Sequence, residues 1–179
     1  MKTYVIASSK TGFTRRYARW IAEETNGTLL AYKDFMELPV DAEDIVIFGS
    51  RVHAGKIEHL SKVKARLGEH GAPNLIVFAT GATPIAAEDV IQKIWANNLS
   101  KTELETIPHF YMQSGLDYEK MGFFDRIIMK MAAMVMGGKK TKDDNEAGFE
   151  LAIKRSHDIS SREYIAPLVD FFKRTYGIG

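Results

Sequence analysis

The sequence predicts an α/β fold in which helices cover both faces of a five-stranded parallel sheet, giving three layers. Short runs rich in β-branched and aromatic residues alternate with longer segments of helical periodicity, and this alternation indicates a parallel sheet. The chain has 179 residues, of which 45% are hydrophobic and 26% charged, a balance typical of one globular domain. We therefore expect a single domain over residues 1–179.

The order of the predicted elements favours one sheet topology. Strands are predicted at residues 3–8, 28–32, 44–50, 74–80 and 109–113. Helices are predicted at residues 14–25, 59–67, 84–95, with a proline in the first turn, and 161–176, with a serine cap. Crossovers between parallel strands are right-handed, which leaves few topologies. Because a loop of the kind that binds a cofactor follows the first strand directly, we expect the strand order 2-1-3-4-5. Residues 118–148 remain as an inserted segment between the fifth strand and the last helix.

Composition excludes several kinds of chemistry. The chain contains no cysteine, which removes disulfides, thiolate metal sites and iron–sulfur clusters, and no metal site is predicted. Redox activity would therefore need a bound cofactor. The net charge of +1 gives no indication of nucleic-acid binding. The N-terminal run predicts a strand rather than a signal peptide, and no apolar stretch approaches the ~20 residues of a membrane span. We expect a cytoplasmic protein.

The loop after the first strand carries the residues of a phosphate site. It consists of Ser9, Lys10, Thr11, Gly12, Phe13 and Thr14. Hydroxyls at alternate positions around one glycine, backbone N–H groups and the positive end of a helix can together hold a terminal monophosphate. The hydroxyl residues could also serve only as helix caps. The loop resembles the flavodoxin phosphate signature Ser/Thr-x-Thr-Gly-x-Thr at every fixed position, and this resemblance implies FMN as the cofactor.

Two further loops are expected to flank a flavin ring, because ligands of this fold bind beyond the carboxyl ends of the strands. The loop after the third strand contains Ser50, Arg51, Val52, His53, Ala54 and Gly55, preceded by Gly49. The loop after the fourth strand contains Thr80, Gly81, Ala82 and Thr83. Small residues there let the backbone approach a planar ring. His53 is the candidate catalytic residue, able to stack on the ring or exchange a proton, or else merely solvated. Arg51 could stabilise an anionic reduced flavin or face water.

The inserted segment has two interpretations. Aromatic, isoleucine and methionine residues recur at helical spacing from Phe124 to Val135, and lysines follow Gly137 and Gly138. The helix could pack on the domain with methionines as filler. It could instead present an exposed surface, from Phe123 to Lys140, for peripheral contact with the inner face of a membrane, a quinone or a protein partner.

Nearly the whole chain resembles the flavodoxin-like, menaquinone-dependent protoporphyrinogen oxidases of haem biosynthesis. The resemblance lies in the first strand and phosphate loop, in the Gly-Ser-Arg-Val-His-Ala-Gly run after the third strand, and in the inserted segment from Phe124 through Lys130 to Gly138. It implies FMN as cofactor, oxidation of a porphyrinogen, and a membrane quinone as electron acceptor. The family usually has a tyrosine where His53 stands, and a longer basic loop after the fourth strand.

Three functions follow from these observations. The first is an FMN-dependent oxidoreductase of the protoporphyrinogen oxidase type, favoured by the inserted segment and the lack of surface acidity. The second is a flavodoxin-type electron carrier without a small-molecule substrate, favoured by the altered loops. The third is an accessory flavoprotein that docks on a larger redox complex. The oligomeric state does not follow from the sequence.

Overall fold

The computed structural model describes residues 1–69, 74–115 and 158–177. Their strands are β1 (Thr3–Ser8), β2 (Thr28–Ala31), β3 (Ile45–His53), β4 (Lys56–Ile57), β5 (Asn74–Gly81) and β6 (His109–Gln113). Their helices are α1 (Phe13–Thr25), α2 (Tyr32–Glu37), α3 (Leu60–Glu69), α4 (Glu88–Ala96), α5 (Lys101–Thr106) and α6 (Ala166–Tyr176), the last preceded by a 3₁₀ turn (Arg162–Ile165).

Five parallel strands form the sheet in the order β2-β1-β3-β5-β6. This order matches the predicted 2-1-3-4-5 arrangement once the short β4 is set aside, so the predicted fold is confirmed. β4 pairs antiparallel with the end of β3 through Val52↔Ile57 and His53↔Lys56. The predicted inserted segment lies outside the described residues.

Two hydrophobic cores cover the two faces of the sheet. On one face α1 and α6 pack through Tyr17, Ile21 and Phe172 against the odd-numbered positions of β3. On the other face α3 and α4 pack through Val63 and Trp95 against the even-numbered positions. Because β3 and β5 are covered on both sides, their apolar runs are continuous, as the sequence predicted.

Several element boundaries differ from the sequence prediction. β3 continues to His53 rather than ending at Ser50, because its last residues pair with β4 in a hairpin. The fourth helix begins at Glu88, so Pro84 lies in the preceding turn, where its carbonyl accepts a hydrogen bond from the Ala87 N–H. Three elements, α2, β4 and α5, were not predicted from the sequence. These elements are short, and two to six residues show too little periodicity to be recognised.

Candidate functional site at the carboxyl edge of the sheet

The candidate site lies where β1, β3 and β5 end. These strands are neighbours and parallel, so their carboxyl ends meet at one edge of the sheet. The register places Ser8 beside Ser50 and Arg51 beside Thr80. The phosphate loop and both predicted flavin loops leave from this edge, as the sequence predicted from topology alone.

The phosphate loop turns sharply at Gly12. This residue is the N-cap of α1 and has φ of +98°, a conformation that favours glycine. Its N–H donates to the Ser9 hydroxyl over 3.1 Å, which closes the loop. A side chain at Gly12 would meet no atom within 4 Å, so the outer side of the loop is open. Glycine is therefore needed for the backbone conformation and leaves room for a ligand.

The N-terminus of α1 is suited to an anion. The first N–H groups of a helix have no partner within the helix, and the helix dipole makes this end positive. No acidic residue occupies the first turn and no side chain caps it, so these N–H groups are left to another acceptor. Arg16 in the first turn forms an ion pair with Asp158, which ties the loop to the segment before α6. A phosphate group fits this set of donors.

Phe13 and Thr14 anchor the loop rather than lining its open side. Both are buried, and Thr14 is only 2% exposed. The Thr14 hydroxyl lies 2.7 Å from the hydroxyl of Thr80, itself buried at the end of β5. Both threonines were predicted to bind the cofactor, and in the structure they contact each other. This hydrogen bond joins the phosphate loop to the end of β5, where the loop after β5 begins.

The turn after β3 is a tight hairpin. Ala54 (φ +48°) and Gly55 (φ +75°) are both left-handed, as two-residue hairpin turns of type I′ require. Asn98 holds the hairpin from outside. Its side-chain oxygen accepts a hydrogen bond from the Ile57 N–H and its side-chain nitrogen donates to the Gly55 carbonyl, both over 2.8 Å. The backbone here is thus fixed from two sides.

The residues of the β3 end differ in accessibility. Ser50 is fully buried, and its hydroxyl has no hydrogen-bond partner among the described residues. Val52 is partly buried and packs on the core that contains α3. His53 is partly exposed at the edge. Its position is compatible with both interpretations of its role, and its catalytic assignment remains a prediction.

A charged cluster that the sequence analysis missed surrounds Glu58. Arg51 donates two hydrogen bonds to this carboxylate, from Nε over 3.0 Å and from a terminal nitrogen over 2.9 Å. The Lys10 ammonium lies 3.5 Å from the same carboxylate. Burial alone would raise the pKa of Glu58, but the hydrogen bonds and charge of Arg51 outweigh it and lower the pKa. Glu58 is therefore ionised at neutral pH. Its pairing with Arg51 could not be predicted from the sequence, because it depends on the hairpin formed by β3 and β4.

His59 was also missed. Its backbone is left-handed, with φ of +65°, a conformation that is uncommon for residues other than glycine. Its ring stacks on Tyr32 with centroids 4.3 Å apart, and its Nδ1 lies 3.2 Å from the Ser8 hydroxyl. Burial is the main cause that lowers the pKa of His59. The ring is thus held at the start of the phosphate loop, and a helical pattern beginning at His59 gave no signal of this.

Tyr111 packs against the backbone of the loop after β5 at Gly81. A side chain at Gly81 would come within 2.7 Å of the Tyr111 hydroxyl, so glycine is required for this close approach. That hydroxyl is buried, and it forms no hydrogen bond with any residue that the structure describes. Burial is the largest influence and raises the pKa of Tyr111 to about 12, although Thr83 beside it acts in the opposite direction. The N–H of Ile85 donates to the Gln113 side chain, which fixes the far end of the loop.

Comparison with known proteins identifies the class of protein. The family model described as "Flavodoxin domain" matches residues 4–144, and the chain belongs to this family. Members of the family typically bind FMN. A solved structure described as a flavodoxin from the domain Archaea is 16% identical; the match covers 75% of this chain and 99% of that chain, with a TM-score of 0.35. No curated protein matches.

The part of the chain that the structure describes has neither a membrane-spanning helix nor a cluster of metal-ligating side chains. Among residues 1–69, 74–115 and 158–177, no helix is long and apolar enough to cross a membrane. The same residues contain no group of three or more histidine, aspartate or glutamate side chains placed to hold a metal ion.

Proposed function

We propose that this protein is an FMN-binding oxidoreductase of the flavodoxin type. The observation that carries the proposal is the left-handed Gly12 at the N-terminus of α1, a helix end without a side-chain cap, in a loop that is open on its outer side. This loop leaves the same sheet edge as the ends of β3 and β5. A phosphate site next to two tight backbone loops suits a flavin mononucleotide.

The donor set fits FMN group by group. The hydroxyls of Ser9 and Thr11 and the N–H groups at the start of α1 would hold the phosphate. The hairpin at Ala54 and the loop at Gly81 would flank the ring with backbone rather than with bulky side chains. Bound FMN supplies the capacity to accept hydride or electrons, which this cysteine-free chain lacks.

At a finer level, we propose oxidation of protoporphyrinogen with transfer of the electrons to menaquinone. Support comes from the sequence resemblance, including the inserted segment that ordinary flavodoxins lack. In this proposal Phe123 to Lys140 contacts the quinone or the membrane face, and His53 exchanges protons beside the ring. The role of the inserted segment follows from the resemblance, and the role of His53 follows from its position at the end of β3.

A flavodoxin-type electron carrier is the second candidate, and one observation favours it. Arg51, at the end of β3 beside the predicted flavin loop, donates two hydrogen bonds to the Glu58 carboxylate. A porphyrinogen carries negative carboxylates, and a cation already paired attracts them less. A carrier that exchanges electrons with a protein partner needs no such cation.

The test begins with FMN binding. The wild-type apoprotein should bind one FMN, measured by quenching of flavin fluorescence. Thr11→Glu should abolish binding, since it places a second anion against the phosphate. Thr102→Glu is the matched control, because Thr102 is an exposed residue in the first turn of α5, far along the chain from the site. Normal FMN affinity in Thr11→Glu would contradict the phosphate-loop assignment.

Turnover then separates the two candidates. The FMN-loaded protein is mixed anaerobically with protoporphyrinogen and afterwards with a menaquinone analogue, and flavin absorbance is followed. Bleaching by the porphyrinogen and recovery with the quinone are expected for the oxidase. Inertness to both would leave the carrier. Deletion of residues 121–140 should spare FMN binding and remove quinone-linked recovery; if recovery persists, that segment does not serve the quinone.

A further inference from the structure

Two adjacent residues between β4 and α3 contact both the phosphate loop and the end of β3. Glu58 binds Arg51 through two hydrogen bonds and lies 3.5 Å from the Lys10 ammonium within the loop. His59 lies 3.2 Å from the hydroxyl of Ser8, the last residue of β1. From these contacts we infer that Glu58 and His59 are positioning residues that hold the phosphate loop and the β3 end in their cofactor-binding arrangement before FMN arrives. The inference rests on the proposed FMN-binding function.

The Glu58 contacts have the geometry of a fixed unit. Arg51 and Glu58 are shielded from solvent, with side chains 13% and 19% exposed, while Lys10 is 59% exposed. A bidentate arginine–carboxylate pair fixes direction as well as distance. The backbone adds to it, since the Glu58 N–H donates to the Arg51 carbonyl over 3.2 Å. The Arg51–Glu58 pair is therefore the rigid part, and Lys10 is the weaker connection to the loop.

The conformation of His59 supports the same conclusion. A left-handed backbone is disfavoured for a residue with a side chain, and it persists where the surroundings impose it. Here the ring is held between Tyr32, on which it stacks, and Ser8. His59 directly follows Glu58, whose side chain and N–H both hydrogen-bond Arg51 on β3. Glu58 and His59 thus contact Ser8 before the phosphate loop, Lys10 within it and Arg51 beside it.

A positioning role of Glu58 and a purely electrostatic role predict opposite changes in FMN affinity when its carboxylate is removed. FMN carries a negatively charged phosphate, and Glu58 is a carboxylate close to the loop. If charge alone mattered, removing the carboxylate would strengthen FMN binding. If Glu58 positions Arg51 and Lys10, removing the carboxylate would weaken binding, because the arrangement must then be ordered when the cofactor binds.

The experiment compares FMN affinity in Glu58→Gln, Glu103→Gln and wild type. Glu103→Gln removes the same charge from another lysine-paired glutamate and can keep the capping box of α5, so it is the matched control. We expect Glu58→Gln to bind FMN about tenfold more weakly, the value of one charge-assisted hydrogen bond. The visible circular dichroism of FMN bound to Glu58→Gln should also differ from that of the wild type. General destabilisation of the protein would not change this spectrum. Glu103→Gln should match wild type in both.

A second variant tests His59 without changing charge. Asparagine tolerates the left-handed backbone but lacks the ring that stacks on Tyr32, so His59→Asn should fold and bind FMN more weakly than wild type. Thermal unfolding of each apoprotein checks folding. Unchanged or tighter FMN binding by Glu58→Gln, or unchanged binding by His59→Asn, would overturn the inference. Failure of the wild-type protein itself to bind FMN would instead overturn the proposed function.

Discussion

The hydrogen bond between Thr14 and Thr80 should contribute measurably to folding stability. The two hydroxyls are 2.7 Å apart, and each side chain is about 2% exposed, so neither has ready access to water. A neutral hydrogen bond contributes about 1 kcal/mol net, and a buried hydroxyl left without its partner costs about 1 to 3 kcal/mol. Thr80→Val keeps the shape of the side chain and removes the partner. We therefore expect it to lower the free energy of unfolding by about 1 to 3 kcal/mol.

A double-mutant cycle isolates the interaction. Thr14→Val should cost a similar amount, and the double variant should cost less than the sum, with a coupling energy of about 1 kcal/mol or more. The assay is urea unfolding of the apoproteins, in which an unchanged slope shows that the unfolded state is unaltered. Because the bond links the phosphate loop to β5, Thr80→Val should also weaken FMN binding. Single losses and a coupling all below about 0.5 kcal/mol would refute the argument.

Three further predictions concern the packing and the ionisable groups. Gly49→Ala should destabilise the protein by about 1 to 3 kcal/mol in urea unfolding, since a Cβ there would lie 1.8 Å from Phe78 in the core; an unchanged midpoint would contradict this. Wild-type stability should fall as pH rises from 10.0 toward about 12, because Tyr111 keeps its proton longer when folded than when unfolded. Tyr111→Phe should lose part of this dependence, since burial also raises the pKa of Tyr17 and Tyr176, and an unchanged dependence would contradict the prediction. The hydrogen bond from Lys64 lowers the pKa of Glu103, so the stability that Glu103 contributes should be present above pH 4.5 and be lost in more acidic solution. Glu103→Gln should make the acid part of the stability curve less steep without abolishing the slope, because the pKa values of Glu58 and Asp158 are also lowered.

Most of the fold could be predicted from the sequence because its strands are covered on both faces. The continuous apolar runs of β3 and β5 and the alternation with helices indicate a parallel sheet, and the phosphate loop directly after the first strand favours the order 2-1-3-4-5. Short elements escaped because they depend on tertiary contacts. β4 has two residues and exists through its pairing with the end of β3 and the support of Asn98.

The candidate site was predictable in position but not in its internal contacts. Loops at the carboxyl ends of β1, β3 and β5 follow from topology. The pairing of Arg51 with Glu58 could not be foreseen, because it requires the hairpin that turns the chain back on β3. The support of Gly81 by Tyr111 joins residues thirty positions apart, which no local pattern reveals. The assignment of individual residues to the cofactor, including His53, remains a prediction.

The most direct test of the central claim compares FMN with riboflavin, which differs from it by lacking the phosphate. The apoprotein is titrated with each compound, and the dissociation constants are obtained from flavin fluorescence. If the loop from Ser9 to Thr14 holds the phosphate, FMN should bind about a hundredfold or more tightly than riboflavin, since two or more charge-assisted hydrogen bonds are lost without it. Equal affinity for the two, or no binding of FMN, would contradict the claim.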